Sequence, residues 1–419
     1  MVLDKLSDAL RIGSFSRNAR LYLMVVALQG LSFGVWETIF YLLLNLDEVG
    51  FTADFIGNLF SVGTIAAGLI AFPAGLLCER IGMKRAILIG LASNIASLLQ
   101  LVTLEPSFLL LASLVSGTMT TVYWLASAPF MMENSNPEER TDLFSVAFAI
   151  NTITSVVGSL LGGFIPDLLN SLLGAPIGAE AGSPTGYRIT LAIASTIALA
   201  AAVPILLVKE DKNLQRQRMN SLLNLRNIKN PCIIAKSAIP AGLIGLGAGF
   251  IVPLFSLFFK LKFAGTPEQI GVIFALGNFT LGLSTLAAPS LARKMGKVRG
   301  VVFCQLLSMP FVMLIALASN LVLASGAYLA RGALMMMVQP TKSAFIMEIV
   351  GEGERATTNG ILFVADNIPR AVAASVSGKM INSNDFYTPF LLTTIMYFMA
   401  SSTFFLFFRK VEVEKRGKT

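Results

Sequence analysis

The chain has 419 residues, of which 55% are hydrophobic and only 13% charged, about half the charged share of an ordinary soluble domain. With a mean hydropathy of +0.73, a soluble fold would expose large apolar patches and aggregate. The composition excludes a cytosolic enzyme, a disordered chain and a disulfide-stapled secreted domain, and leaves an integral membrane protein.

Crossing a hydrocarbon core of about 30 Å takes roughly 20 apolar helical residues. Twelve such segments are predicted, spans 1 to 12, over residues 21–45, 53–78, 86–104, 108–132, 143–169, 189–208, 232–259, 267–292, 298–319, 321–349, 356–381 and 386–408. The opening residues 1–20 are polar and amphipathic, and are not read as a signal peptide. Of the 32 Lys and Arg residues, 24 fall on one side of the alternating loops and only Arg188, Lys260, Lys262 and Lys379 on the other. Positive residues favour the cytoplasmic side, which predicts both termini and the middle loop inside. The net charge of +8 then records topology, and no nucleic-acid partner is implied.

The longest polar run, residues 209–231, separates six spans from six. The expected domains are a bundle over 1–208, a cytoplasmic linker over 209–231 and a second bundle over 232–419. The halves resemble each other at an offset of 214 to 215 residues: FTADFIGNLFSVG at Phe51 parallels GTPEQIGVIFALG at Gly265, and APFMMENSNPEER at Ala128 parallels SAFIMEIVGEGER at Ser343. With six spans per copy, both copies enter from the same side and the repeat is parallel.

Between spans 2 and 3 the chain reads GLLCERIGMKR, Gly75 to Arg85. Gly75, Glu79, Arg80, Gly82, Lys84 and Arg85 resemble the signature loop of the major facilitator superfamily, with Glu79 in place of the usual Asp. The second copy, APSLARKMGKVRG, keeps Gly296 and the basic residues and loses the acid. The resemblance implies an all-α membrane fold of twelve transmembrane helices in two halves related by pseudo-twofold symmetry, and a secondary transporter. The glycines of the loop permit a tight turn and close approach of helix ends, and Glu79 with the basic residues is a candidate conformational latch to the neighbouring half. The alternative is that Arg80, Lys84 and Arg85 serve only as topology anchors. In span 5, GSLLGG (Gly158, Gly162, Gly163) resembles the antiporter motif of drug-exporting members, and reads equally as small-residue helix packing. The Arg that exporters carry four residues before a Gly in span 4 is replaced by Ser113.

Charges deep in a membrane are costly and mark functional positions. Here they are Glu37, Arg331, Lys342, Asp366 and Arg370, on spans 1, 10 and 11 alone. At a rise of about 1.5 Å per residue, Glu37 lies roughly 12 Å from the outer end of its span, Arg331 roughly 15 Å from the start of its span, and Asp366 and Arg370 roughly 15 and 21 Å from the inner end of theirs, close to the midplane. In the superfamily spans 3, 6, 9 and 12 lie on the outside, spans 1, 4, 7 and 10 line the central cavity and spans 2, 5, 8 and 11 stand beside them, and this distribution matches that division. Asp366 and Arg370, four apart, share a helix face. In one reading Arg331, Arg370 and Lys342 bind an anionic or zwitterionic substrate, while Glu37 and Asp366 carry protons. In the other, Asp366–Arg370 and Glu37–Arg331 are structural ion pairs. Trp36, Tyr123, Trp124, Asn151, Asn278 and Gln339 extend the substrate-binding set, with Gln29, Asn58 and Asn367 as further polar positions.

There is no histidine and no GxxxxGK[ST] loop, and Cys78, Cys232 and Cys304 are far apart. No cofactor, no metal site and no enzymatic activity are expected. The expected partners are a small-molecule substrate, membrane lipids and a coupling ion, most simply a proton, with the chain a monomer in the plasma membrane. Proton-coupled export of an amphipathic organic solute by alternating access is the leading expectation. Uptake of a sugar or organic acid, or an uncoupled receptor or lipid scramblase, is the alternative.

Overall fold

The computed structural model describes residues 15–136, 139–172, 183–209, 231–350 and 354–416, and these contain helices and no strand. Nearly all of the polar linker expected over 209–231 lies outside the described residues. Helix occupies every predicted span. Spans 1, 2, 4, 5 and 12 are continuous over Arg17–Leu44, Ala53–Ile81, Pro106–Glu133, Arg140–Leu172 and Thr388–Arg416. Spans 9 and 11 cover Lys297–Leu317 and Arg355–Asn382. Spans 3, 6, 7, 8 and 10 are each interrupted within their length. In span 7, Pro231–Ile251 gives way to a 3-10 turn at Val252–Leu254 before Phe255–Phe263 resumes. Pro253 lacks the amide proton needed to continue the helix regularly.

Ten of these helices are long and apolar enough to cross a membrane. The other two are spans 8 and 11. The 19-residue first piece of span 8, Pro267–Thr285, carries Glu268, Gln269 and Asn278, and span 11 carries Asp366, Arg370 and Lys379 in its body. Many large apolar side chains face outward, among them Leu69, Val102, Leu286 and Val322. That surface suits lipid and not water.

The chain forms two compact units, residues 1–40 with 70–222, and residues 41–69 with 223–419. The end of span 1 and the first half of span 2 thus group with the second unit, whereas the sequence division assigns them to the first. The contacts concerned are specific. Gly57 lies on the backbone of Ala374 and Gly378, Ser61 donates to the carbonyl of Ala371, Ser375 donates to Asn58, and Lys260 donates to the carbonyl of Asn45.

Each unit is organised by a glycine-lined helix contact. In the first, Gly30 and Gly34 of span 1 lie directly on the backbone of Asn151 and Ser155 of span 5, and Gly158 and Gly162 return the contact against Leu31 and Val35. In the second, Gly245 and Gly249 of span 7 lie on Asp366 and Arg370 of span 11. Gly30 and Gly245, Gly34 and Gly249, Asn151 and Asp366, and Ser155 and Arg370 are each 215 residues apart. The internal repeat is therefore preserved residue by residue where the helices touch. Backbones this close gain dispersion and Cα–H···O contacts that larger side chains would prevent.

The loops repeat in the same way. Gly82 (φ 89°) and Gly296 (φ 92°) both adopt the backbone region that favours glycine. Arg140 donates to the carbonyl of Met132 at 3.4 Å, and Arg355 to that of Met347 at 3.0 Å. Both arginines sit just beyond a helix end whose last carbonyls lack helical donors. Other basic residues act alike: Lys84 donates to Leu206 (3.0 Å) and Val208 (2.7 Å), Arg188 to Leu101 (2.8 Å), and Lys262 to Ala316.

Gly30→Ala and Gly245→Ala each place a Cβ against facing backbone and are expected to destabilise by about 1–3 kcal/mol. Gly326→Ala, where a Cβ meets nothing within 4 Å, should keep or raise stability. Melting temperatures of the detergent-solubilised variants check this, and three equal values would remove the glycine contact as a source of stability.

Candidate functional site

The clearest concentration of charge inside the helices is on spans 10 and 11 of the second unit. Asp366 Oδ2 accepts from Arg370 Nε at 3.1 Å and from Nη2 at 2.7 Å. The pair is partly accessible, with 22% of the Arg370 side chain and 29% of the Asp366 side chain exposed. Its place in space is fixed by backbone contacts. Gly245 and Gly249 hold the helix at residues 366 and 370, while a Cβ at Gly242 would lie 3.2 Å from the Ala365 carbonyl. That carbonyl has no helical donor, because the residue four positions on is Pro369.

Lys342 lies in the second piece of span 10, Gln339–Ile349, and is nine-tenths buried. The Asp366 carboxylate is near enough to act on its ammonium. Among the described residues no acceptor takes a hydrogen bond from Lys342 Nζ. The three groups together, two cations and one anion, carry a formal charge of +1.

Arg331 has a different setting. It is 7% exposed, and Nη2 donates to Tyr397 Oη of span 12 at 2.5 Å. Its guanidinium also lies 5.8 Å from the ring centres of Phe255 and Tyr397. Its Nε is buried without an acceptor among the described residues. The cation is thus held by ring faces and a phenol within the packing of spans 7, 10 and 12. No spacing in the sequence links positions 331 and 397, so Tyr397 and Phe255 were not legible as its partners.

In the first unit the expected site residues separate. Trp36 donates Nε1 to Ser195 Oγ of span 6 at 2.9 Å and packs its ring 4.6 Å from that of Phe40. Gln29 donates to the Ala198 carbonyl of the same span at 2.9 Å. Tyr123 is buried beneath Gly90, in a core with Tyr22 and Phe130, whereas Trp124 is 57% exposed. Glu37 is half-buried on span 1, and Asn151 is half-buried above Gly30. In the second unit Asn278 and Gln339 are half-buried on spans 8 and 10. Asn367 donates within its own helix to Phe363, and Asn58 bonds Asp54 and Ser375.

The signature loop divides by residue. Gly82 makes the turn that its positive φ requires, and a Cβ at Gly75 would meet nothing within 4 Å among the described residues. Lys84 is committed to the span 6 carbonyls of its own unit, while Arg80 and Arg85 are exposed and Glu79 is half-buried. Gly158 and Gly162 pack against span 1, and Gly163 is buried beside them.

Tyr397→Phe removes the acceptor of a buried guanidinium and should cost about 1–3 kcal/mol. Thermal denaturation of the solubilised variant measures this, and a melting temperature equal to that of the parent would mean Arg331 finds another acceptor.

The family profile described as Major Facilitator Superfamily matches residues 23–235 and 237–419. No curated protein sequence matches the chain. Among solved structures, the nucleoside transporter NupG superimposes with a TM-score of 0.73 at 17% identity, over 93% of this chain and 99% of that one. A bacterial homolog of the human lysosomal transporter Spinster, inward-facing and occupied, gives 0.72 at 12% identity over 93% and 95%. A bacterial homologue of the iron transporter ferroportin, inward-facing, gives 0.69 at 16% identity over 93% and 98%. At these identities the likeness is one of fold. With the profile covering almost the whole sequence, the chain belongs to the major facilitator superfamily.

Proposed function

We propose that the protein is a proton-coupled secondary transporter of a small amphipathic organic anion or zwitterion, working by alternating access of two six-span bundles, residues 1–208 and 232–419. Both termini then face the cytoplasm, and the plasma membrane is its site. The observation that carries this reading is the accessible Asp366–Arg370 pair with Lys342 in its field. Charged groups survive inside apolar helices where they meet a solute or an ion. Arg370 and Lys342 supply the donors for a carboxylate or phosphate. Asp366, and Glu37 on span 1, supply carboxylates that can take up a proton.

Direction follows from how the two ligands affect each other. The donors of Arg370 are taken up by Asp366. A proton on Asp366 weakens that pair and frees Arg370 for an anion, and by reciprocity a bound anion favours the proton. Ligands that assist each other's binding travel together. For an anionic substrate the pair thus favours co-transport with protons, the uptake alternative. Export by proton exchange is favoured for a cationic group that competes with the proton for Asp366.

Purified protein in liposomes under an imposed pH gradient tests this, with anionic, zwitterionic, neutral and cationic amphiphiles as solutes. The expected result is concentration of an anionic or zwitterionic solute, with alkalinisation of the proton-donating side, and its loss in Glu37→Gln combined with Asp366→Asn. If that double variant concentrates solute at the parental rate, these carboxylates do not couple transport.

A further inference from the structure

We infer that Asp366 is a built-in stand-in for the anionic group of the substrate: its carboxylate occupies the donors of Arg370 in the empty protein, and a ligand carboxylate or phosphate displaces it. The inference rests on the reading that spans 10 and 11 carry the substrate site.

The first support is the geometry of the pair. Both Nε and Nη2 of Arg370 reach the same oxygen, Oδ2. A guanidinium is matched best by two oxygens receiving two parallel bonds. Two side chains rooted four residues apart on one helix do not reach that arrangement here, whereas a ligand oxyanion that approaches freely can. The resident carboxylate therefore holds the donors without satisfying them fully, and an intrahelical pair of this kind is only weakly stabilising. Both partners are also partly exposed, so a ligand can reach them.

The second support is charge. Lys342 is nine-tenths buried and lies in the field of Asp366, whose hydrogen bonds go to Arg370, so two cations stand against one carboxylate. Burying an uncompensated charge is costly. One further negative charge neutralises the group, so the ligand that fits is a monoanion: a carboxylate, or a phosphate ester in its singly charged form.

The third support is an internal control. The glycine contact that places Asp366 and Arg370 is made in the first unit by Asn151 and Ser155, on Gly30 and Gly34. Lys342 corresponds to Ser127, also 215 residues earlier, in a stretch where Phe130 and Phe345 are both buried. The same scaffold thus packs with neutral residues at all three positions. The charges are not required by the packing, and their presence in one repeat is a feature of what that repeat binds.

Isothermal titration of the intact, detergent-solubilised protein tests the inference with four probes on one aromatic body: benzoate, phenyl phosphate, benzyl alcohol and benzylammonium. In the parent, benzoate or phenyl phosphate should bind weakly and the other two should not, and the preferred anion identifies the group. Asp366→Asn should tighten the preferred anion about tenfold, the change expected when one charge-assisted pair is released. Arg370→Gln should weaken it, and in the combined variant the gain should vanish, since coupled residues do not add. Should Asp366→Asn melt below the parent, Asp366→Ser is read in the same way. Unchanged or weaker anion binding in these variants, persistence of the gain without Arg370, or no anion binding by parent and variant alike would overturn the inference. Binding needs no gradient. A protein that shows this pattern yet concentrates nothing in liposomes would refute the transport reading alone.

Discussion

The close approach of the first and fifth spans within each repeat is the constraint on which the remaining structure depends. Two helices can come this near only where one presents hydrogen in place of a side chain, and Gly30, Gly34, Gly245 and Gly249 do so at equivalent positions. Lipid offers no hydrophobic drive for helix association, so contact of this kind must come from dispersion and weak hydrogen bonds. Once the backbones are locked, residues 151, 155, 366 and 370 have fixed places. The second repeat uses two of those places for a carboxylate and a guanidinium, and Pro369 between them leaves the Ala365 carbonyl to face Gly242.

Much of this was legible in the sequence, because membrane spans announce themselves by length and hydropathy. The internal repeat was also visible, though as matches in loops: the EER and GER ends that become Arg140 and Arg355 capping Met132 and Met347. The packing glycines were harder to interpret. GSLLGG was readable either as an exporter's motif or as a packing motif, and its partners Leu31 and Val35 lie more than a hundred residues away, beyond any spacing rule. The pairing of Asp366 with Arg370 was legible because it is local. That of Arg331 with Tyr397 was not, since it depends on how spans 10 and 12 meet. The direction of the aromatic candidates was the least legible. A tryptophan or tyrosine inside an apolar helix has no sequence signal for direction, and Tyr123 and Trp124, adjacent in the chain, end respectively in the core and at the surface.

The basic residues show how one composition serves several purposes. The loop assignment read from the sequence puts most of them on one side, and the four that fall outside it call for a local cause. Three of them have one: Arg188 donates to the end of span 3, Lys260 to the carbonyl of Asn45 and Lys262 to that of Ala316. A helix end at the edge of hydrocarbon leaves carbonyls without donors, and a nearby ammonium or guanidinium satisfies them while matching the helix dipole. Lys84 and the Arg140 and Arg355 pair do the same on the basic-rich face. Helix capping thus accounts for cations on both faces, and it does so with the backbone of the same unit. What capping cannot account for is a cation far from any helix end. Arg331 answers with ring faces and a phenol, which hold it in the packing. Arg370 answers with the Asp366 carboxylate, which also acts on the buried Lys342 near the start of Gln339–Ile349, and the net positive charge left over is the ground for proposing an anion there.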